Sequence, residues 1–305
     1  TKGGRLPRFV EGNPAVYQPG ATAANADRRR IYADCPSSAG PCTFGHMGLV
    51  AGSTNSTYHA AQAGFRRDLS AVRVQISYTY AKLLDYASSL HLTGPAPLLI
   101  SGENDVAQNP FNLRAEHGPS LFDARHRLAA NFSYGLPALR RPARWARAMA
   151  SGWQMHGILV LSTATPFTVY DSRNVSLQAP HPPLSGVFAS RPDALSDPNQ
   201  GRRTREDWMP RSAFRRLDAV LDAGRFGNAG RNIVRGPGLA NLDVSLTRWF
   251  ALSERARLQL RLESFNVANQ TNLGLPVNDM VSPNFGRILE AGPPRLFQAA
   301  LKLAF

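Results

Sequence analysis

Apolar residues recur at every second position in several separated windows, and this period constrains the fold more than any other feature of the chain. Across residues 71–80, Val72, Val74, Ile76, Tyr78 and Tyr80 alternate with Arg73, Gln75, Ser77 and Thr79. Across 127–136, Leu128, Ala130, Phe132, Tyr134 and Leu136 hold the apolar phase. Leu242, Val244 and Leu246 repeat it, as do Leu258, Leu260 and Leu262 against Arg257, Gln259, Arg261 and Glu263. The last window sets Phe297, Ala299, Leu301, Leu303 and Phe305 against Gln298, Ala300, Lys302 and Ala304. Weaker windows lie at 57–67 and 151–165. Side chains of a strand point to opposite faces in turn, so the pattern predicts strands with one apolar and one polar face. Helical spacing is weak nearly everywhere.

Alternation alone does not say what each face meets. The apolar face suits a sandwich core or a lipid-facing band, and the polar face suits bulk water or a wet barrel lumen. Connection lengths favour the barrel. Turns near Asp68 and at 252–255 are tight and 137–150 is intermediate, while 85–121, 166–238 and 271–293 are long. Short turns on one side and long loops on the other mark an outer-membrane barrel. Tyr78, Tyr80, Trp153, Phe167, Tyr170, Trp249 and Phe250 fall near strand ends, where interfacial aromatic girdles lie. The expected fold is all-β: a segment of about seven or eight antiparallel transmembrane strands, part of a larger barrel, with long extracellular loops. Residues 45–53 are the candidate for the eighth strand. Residues 1–55 form a loop-rich N-terminal segment holding at most one strand, and residues 56–305 carry the barrel strands.

The apolar runs are too short for a transmembrane helix, which needs about 20 residues. Mean hydropathy of -0.26 suits strands in which only every second residue is apolar. The formal net charge is +14, from 35 basic and 21 acidic residues, but only Lys2, Lys82 and Lys302 are lysines. The arginines are scattered over loops, with no helix-turn-helix, zinc finger or stacking motif, so nucleic acid is not an expected partner. The chain begins at Thr1 with no signal-peptide pattern. A cytoplasmic protein or a piece of a longer one would both give this, and the strand pattern favours the piece. Cys35 and Cys42 flank one Pro/Gly/Ser segment, a spacing that suits a local disulfide better than a metal site.

Seven histidines, His46, His59, His91, His117, His126, His156 and His181, form no metal-binding pair. No nucleophile elbow or phosphate-binding loop is present. No catalytic, cofactor or metal site is expected, and the chain is not expected to be an enzyme. His126 beside Asp123 and Arg125 reads as a strand-entry turn. The run Arg202-Arg203-Thr204-Arg205 reads as a solvated loop, with an acidic ligand as the alternative. Arg261 and Glu263 share a face and are expected to pair with charges on neighbouring strands. A strand closing on Phe305, with Leu301 and Leu303 before it, resembles the signal that barrel-assembly machinery reads. Phe44-Gly45-His46-Met47 and Phe285-Gly286-Arg287-Ile288 form a weak echo, read as two similar entries from loop to strand.

The ordered motifs resemble the C-terminal barrel of TonB-dependent receptors, above all the Oar-like group whose members usually begin with a carboxypeptidase-regulatory-like domain. The matches include Ser77-Tyr78-Thr79-Tyr80-Ala81-Lys82, Phe122-Asp123-Ala124-Arg125-His126-Arg127 and Gly152-Trp153-Gln154. Thr165-Pro166-Phe167-Thr168-Val169, Phe226-Gly227-Asn228-Ala229-Gly230-Arg231-Asn232 and Arg235-Gly236-Pro237-Gly238 continue them, with Arg261-Leu262-Glu263-Ser264-Phe265-Asn266 near the end. The resemblance implies an outer-membrane receptor that takes up an extracellular ligand. Its partners would be outer-membrane lipid, the barrel-assembly machinery and TonB, the last acting through a plug and TonB box that are not recognisable in this chain. A non-transporting structural or adhesive barrel, or a soluble secreted β-sandwich that binds ligands, are the alternatives.

Overall fold

The computed structural model describes residues 1–35, 41–88, 107–137, 151–178 and 190–305. His91 and His181 lie outside them. Among the described residues thirteen strands follow in chain order: β1 (Lys2–Glu11), β2 (Gly48–Asp68), β3 (Val72–Asp85), β4 (Gly118–Pro119), β5 (His126–Gly135), β6 (Gln154–Ser162) and β7 (Pro166–Phe167). Then come β8 (Asp193–Ala194), β9 (Phe214–Arg215), β10 (Val234–Arg235), β11 (Leu239–Ala251), β12 (Arg257–Phe265) and β13 (Leu296–Ala304). Eight long strands make one antiparallel meander in the order β1-β2-β3-β5-β6-β11-β12-β13, and β4 adds to the end of β3. The short pairs β7–β10 and β8–β9 lie in the connections. The sheet is open: β1 and β13 each have a single neighbour. It is part of a barrel wall. Among the described residues no helix is long and apolar enough to cross a membrane.

The register explains why the pattern is strict. Residues directly opposite in antiparallel strands share a face. Leu242 lies opposite Leu159, Leu159 opposite Ala130, Ala130 opposite Ile76 and Ile76 opposite Phe65, so one apolar row crosses five strands. The next row runs Asp243, Ile158, Asn131, Gln75 and Arg66, polar apart from Ile158. A slip of one residue would turn Asp243, Asn131, Gln75 and Arg66 to the apolar side, so register is firmly specified. Among the described residues no second sheet covers the apolar face: Phe65, Phe297, Leu301 and Leu303 are exposed on it. A soluble sandwich would bury these residues, and a membrane wall turns them to lipid. From Val72 to Tyr80 the apolar face of β3 rises roughly 20 Å at a tilt near 40°, close to the ~25 Å band of outer-membrane barrels.

The strand ends joined by 69–71, 136–153 and 252–256 lie at one end of the wall. The strand ends joined by the longer connections, 12–47, 86–125, 163–238 and 266–295, lie at the other, which is the extracellular end. The segment 45–53 is not a separate strand: it is continuous with 57–67 in β2. The remaining long strand is β1, whose pairing with β2 shifts register between Gly3 and Leu6 and again between Leu6 and Arg8. Arg5 there takes a left-handed φ of 53°. These irregularities erase the two-residue period that marks the other strands.

Candidate functional site

The buried core of the chain lies in the long connections, not in the wall. Phe167, Val169, Met209, Ala213, Phe214, Val234, Met280 and Phe285 form one cluster, drawn from 163–238 and 266–295. Its centre is the β7–β10 pair, which sets Val234 opposite Phe167. Thr168 and Asn232 fix the same crossing: the Thr168 hydroxyl donates to Asn232 Oδ1 (2.9 Å) and accepts from the Asn232 amide (3.0 Å). Asn232 takes a left-handed φ of 54°, which Asn tolerates better than most residues. Its side-chain amide donates to Pro119 O at 2.9 Å, and Asn278 Nδ2 donates to Thr168 O at 2.7 Å. Three long connections therefore fold into one cap.

Arginines tie the connections of this cap to one another and to the wall, with Arg191 and Arg231 buried and Arg235 partly exposed. Arg231 donates to the Asp85 carboxylate at the end of β3, and its Nε donates to Glu116 O at 3.0 Å. Arg191 Nη2 reaches Glu116 Oε1 at 2.7 Å, with both side chains buried. Arg235 Nη2 reaches Asp123 Oδ2 at 2.6 Å, while Asp123 Oδ1 accepts from the Leu83 amide at 2.7 Å. All three arginines come from 163–238, and all three carboxylates lie between 85 and 123. Gly227 is needed for the same docking, since a Cβ there would sit 1.9 Å from Arg191 O. Losing one partner of such a buried pair costs about 3–5 kcal/mol, because it strands the other charge.

The clamp accounts for motifs noted in the sequence. The segments around Phe122-Asp123, Phe226-Gly227 and Arg235-Gly236 are far apart in the chain and meet here. Sequence reasoning missed Glu116, Arg191 and the Arg231–Asp85 pair. The signal for Arg231 and Asn232 was their place between a glycine-rich stretch and Val234; Arg191 carried none.

A second, partly exposed network holds the turn at 218–222. Asp193 accepts from Arg215 and Arg225, each at 2.6 Å, and Arg225 chiefly holds its carboxyl below the usual range. Asp222 accepts from the Asp218 amide at 2.8 Å and from Arg215 and Arg225. The Asp218 amide, then Arg215, bring its pKa down to about 2. A crevice of about 10 Å³, lined by Asp171, Arg173, Arg191, Arg225 and Phe226 among others, lies beside this network. That is room for one water and no organic ligand.

The other expected residues fall as follows. Cys35 and Cys42 are joined, with the sulfurs 2.06 Å apart, in the connection from β1 to β2. His126 shares a 2.7 Å hydrogen bond with Tyr78 and lies against Tyr80, while Asp123 is taken by Leu83, Arg235 and Arg125, so the two form no dyad. In the basic run, Arg203 donates to Arg235 O (2.5 Å) and Asn199 and lies over Trp208. Arg205 Nε donates to Ile288 O. Two of its three arginines thus brace the cap. Arg261 pairs with Glu263 on its own strand at 2.6 Å, not across strands, because the residues opposite are Thr247, Ala300, Ser245 and Gln298.

The aromatics divide. Tyr78, Tyr80 and Phe250 lie on the apolar face, but only Phe250 is near a strand end; Tyr78 and Tyr80 lie in the middle of β3. Phe167 belongs to the cap core, the Tyr170 carbonyl accepts from the cap-core residue Met280, and Trp249 sits opposite Gln259 on the polar face. The echo between 44–47 and 285–288 does not extend to the backbone: Gly286 has a φ of 81°, and Gly45 has no positive φ. Leu301, Leu303 and Phe305 are exposed at the β13 edge. Among the described residues no group of three or more metal-ligating side chains gathers.

A sheet with an uncovered apolar face, a polar face behind it and long connections at one end is an outer-membrane β-barrel wall. The chain belongs to the outer membrane beta barrel domain family, which it matches over residues 1–298, and its place is the outer membrane. Among solved structures it is similar to the outer membrane transporter YddB from Escherichia coli, at 9% identity and a TM-score of 0.45, covering 99% of this chain and 29% of that one. It is also similar to the siderophore receptor PiuA from Acinetobacter baumannii, at 8% identity and a TM-score of 0.35, covering 83% and 23%. The chain spans less than a third of either. No curated protein matches it.

Proposed function

We propose that this chain is the C-terminal part of the barrel of a TonB-dependent outer-membrane receptor of the Oar-like group, and that the parent protein takes up an extracellular ligand. The observation that carries this reading is the folded cap. A passive pore needs no dense core in its outer loops, whereas a receptor needs a shaped surface above its lumen. The ladder motifs of the resemblance and the clamp residues Asp123, Arg231 and Arg235 support it. In this reading TonB supplies energy through a plug and TonB box elsewhere in the parent. Leu301, Leu303 and Phe305 are the strand read by the assembly machinery, and the Cys35–Cys42 bond braces an extracellular segment. The role is binding and transport, not catalysis.

The test is growth-dependent uptake by cells carrying the full-length parent, with TonB intact or disrupted. Loss of uptake with TonB disrupted supports the reading. Unchanged surface adhesion with no TonB-dependent uptake of any solute screened overturns it in favour of a structural or adhesive barrel.

A further inference from the structure

Of the 35 basic side chains only Lys2, Lys82 and Lys302 are lysines, and the register brings the first two to one corner of the apolar face. On β2 and β3 that face runs upward through the rows Phe65–Ile76, Ala63–Tyr78 and Ala61–Tyr80. The next row sets His59 opposite Lys82. Above it Leu84 lies opposite Thr57, and Thr57 opposite Lys2 on β1. Two strand spacings across and two residues along put the Cα atoms of Lys2 and Lys82 about 12 Å apart. Lys2, His59 and Lys82 are all exposed. The acids nearest to them in the chain are occupied: Asp85 accepts from Arg231, and Asp123 from Arg235 and the Leu83 amide. Among the described residues neither lysine is paired with a carboxylate.

Height identifies what this corner meets. From Val72 to Lys82 the apolar face of β3 climbs about 25 Å at a tilt near 40°, the full height of the apolar band of an outer-membrane barrel. Three residues further on, Asp85 is already held by the cap. Lys82 therefore stands at the upper border of the band, where long basic side chains on the lipid-facing side meet headgroups. Cations on the polar face would serve a solute in the lumen; these face lipid. An ammonium binds phosphate as a compact charge with three rotatable donors, and two of them reach one headgroup that carries more than one phosphate. The exposed His59 ring adds a nitrogen beside Lys82. One row lower, His126 shares its 2.7 Å hydrogen bond with Tyr78 and lies against Tyr80. These rings make an amphipathic ledge of the kind that suits the border between acyl chains and headgroups. We propose that Lys2, His59 and Lys82 form a binding site for the phosphates on the glucosamine headgroup of an outer-leaflet lipopolysaccharide.

The full-length protein carrying this chain, purified in a maltoside detergent that lacks phosphate, gives the test. It is titrated with diphosphorylated lipid A, and the bound fraction is read by native mass spectrometry. K2Q/K82Q should bind about 25-fold more weakly than the wild type, from about fivefold for each basic residue near an anionic surface. R127Q removes a cation at a similar level but on the polar face, opposite Thr79, and should bind as the wild type does. Unchanged affinity in K2Q/K82Q would overturn the site. An equal loss in R127Q would also overturn it, since net charge alone would then explain the binding. Should K2Q/K82Q fail to assemble, the wild type alone decides: dephosphorylated lipid A should bind about 25-fold more weakly than lipid A, and equal affinity for both would refute the proposal. Inorganic phosphate at the same concentration should not displace lipid A. Displacement would assign the lysines to free phosphate and overturn the lipid site.

Discussion

The wall and the cap are built by opposite means from one chain. In the wall, order comes from the ladder: each inner strand's backbone is satisfied by its two neighbours, and most side chains stay at least partly exposed on one face or the other. In the cap, regular pairing is reduced to two-residue ladders, and order comes from a buried apolar cluster and from arginines that reach across long sequence distances. Membrane proteins need the first arrangement because lipid offers no partner for a free backbone group. Water-facing loops can use the second, because a shared core offsets the entropy of ordering long connections. Damage to one region should therefore spare the other, and the side-chain chemistry that each tolerates should differ.

The largest separation is expected from R231A. It leaves Asp85 and the Glu116 carbonyl without their buried cation, at about 3–5 kcal/mol. Hydrogen exchange should speed up through 107–125 and 190–238, while exchange in β5, β6 and β11 stays slow. Equal loosening of the wall would show that the two regions are one cooperative unit. Next come L159R and V160R, adjacent residues on opposite faces of β6. L159R places a cation in the apolar row and should cost about 2–4 kcal/mol of folding stability in bilayers, and V160R, facing the lumen, much less. Urea unfolding in vesicles reads both, and similar costs would mean that the two faces are not distinguished.

A smaller and more local effect is expected from C35S. Opening so short a loop should cost about 2–3 kcal/mol on chain-entropy grounds. Faster exchange should be confined to 12–47, with no change in 190–238. The smallest effect is that of acid on the 218–222 turn. Asp222 has a folded pKa of about 2, below the ordinary carboxylate value of about 3.9. Its contribution is therefore complete above about pH 4 and is lost as pH falls through about 2. The mobility of a spin label placed at Leu221 should be flat from pH 7 to pH 4.5 and rise below pH 3. A rise near pH 6 would point to a histidine instead.

How much of this was legible in the sequence follows the same division. The strands β3, β5, β11, β12 and β13 were plain because their information is local: each residue's neighbours two places away share its environment. β1 was hidden because Gly3, Gly4, the left-handed Arg5 and two register shifts break that period. The cap was legible only as a set of family motifs without a geometry. Arg231 and Asp85 are 146 residues apart, and nothing local in either segment pairs them. The same holds for Arg261 and Glu263: their shared face was readable, while the absence of charge opposite them depended on the register of two other strands.

The central claim is that the apolar face of this sheet meets lipid and the polar face a wet lumen. Spin labels placed one at a time from 127 to 134 on β5, in the full-length protein reconstituted in vesicles, test it directly. Labels at Leu128, Ala130, Phe132 and Tyr134 should relax with oxygen and ignore a water-soluble nickel chelate. Labels at Arg127, Ala129, Asn131 and Ser133 should do the reverse. A two-residue alternation in that phase is the expected result. Equal access of the chelate to both sets, or alternation in the opposite phase, would contradict the account.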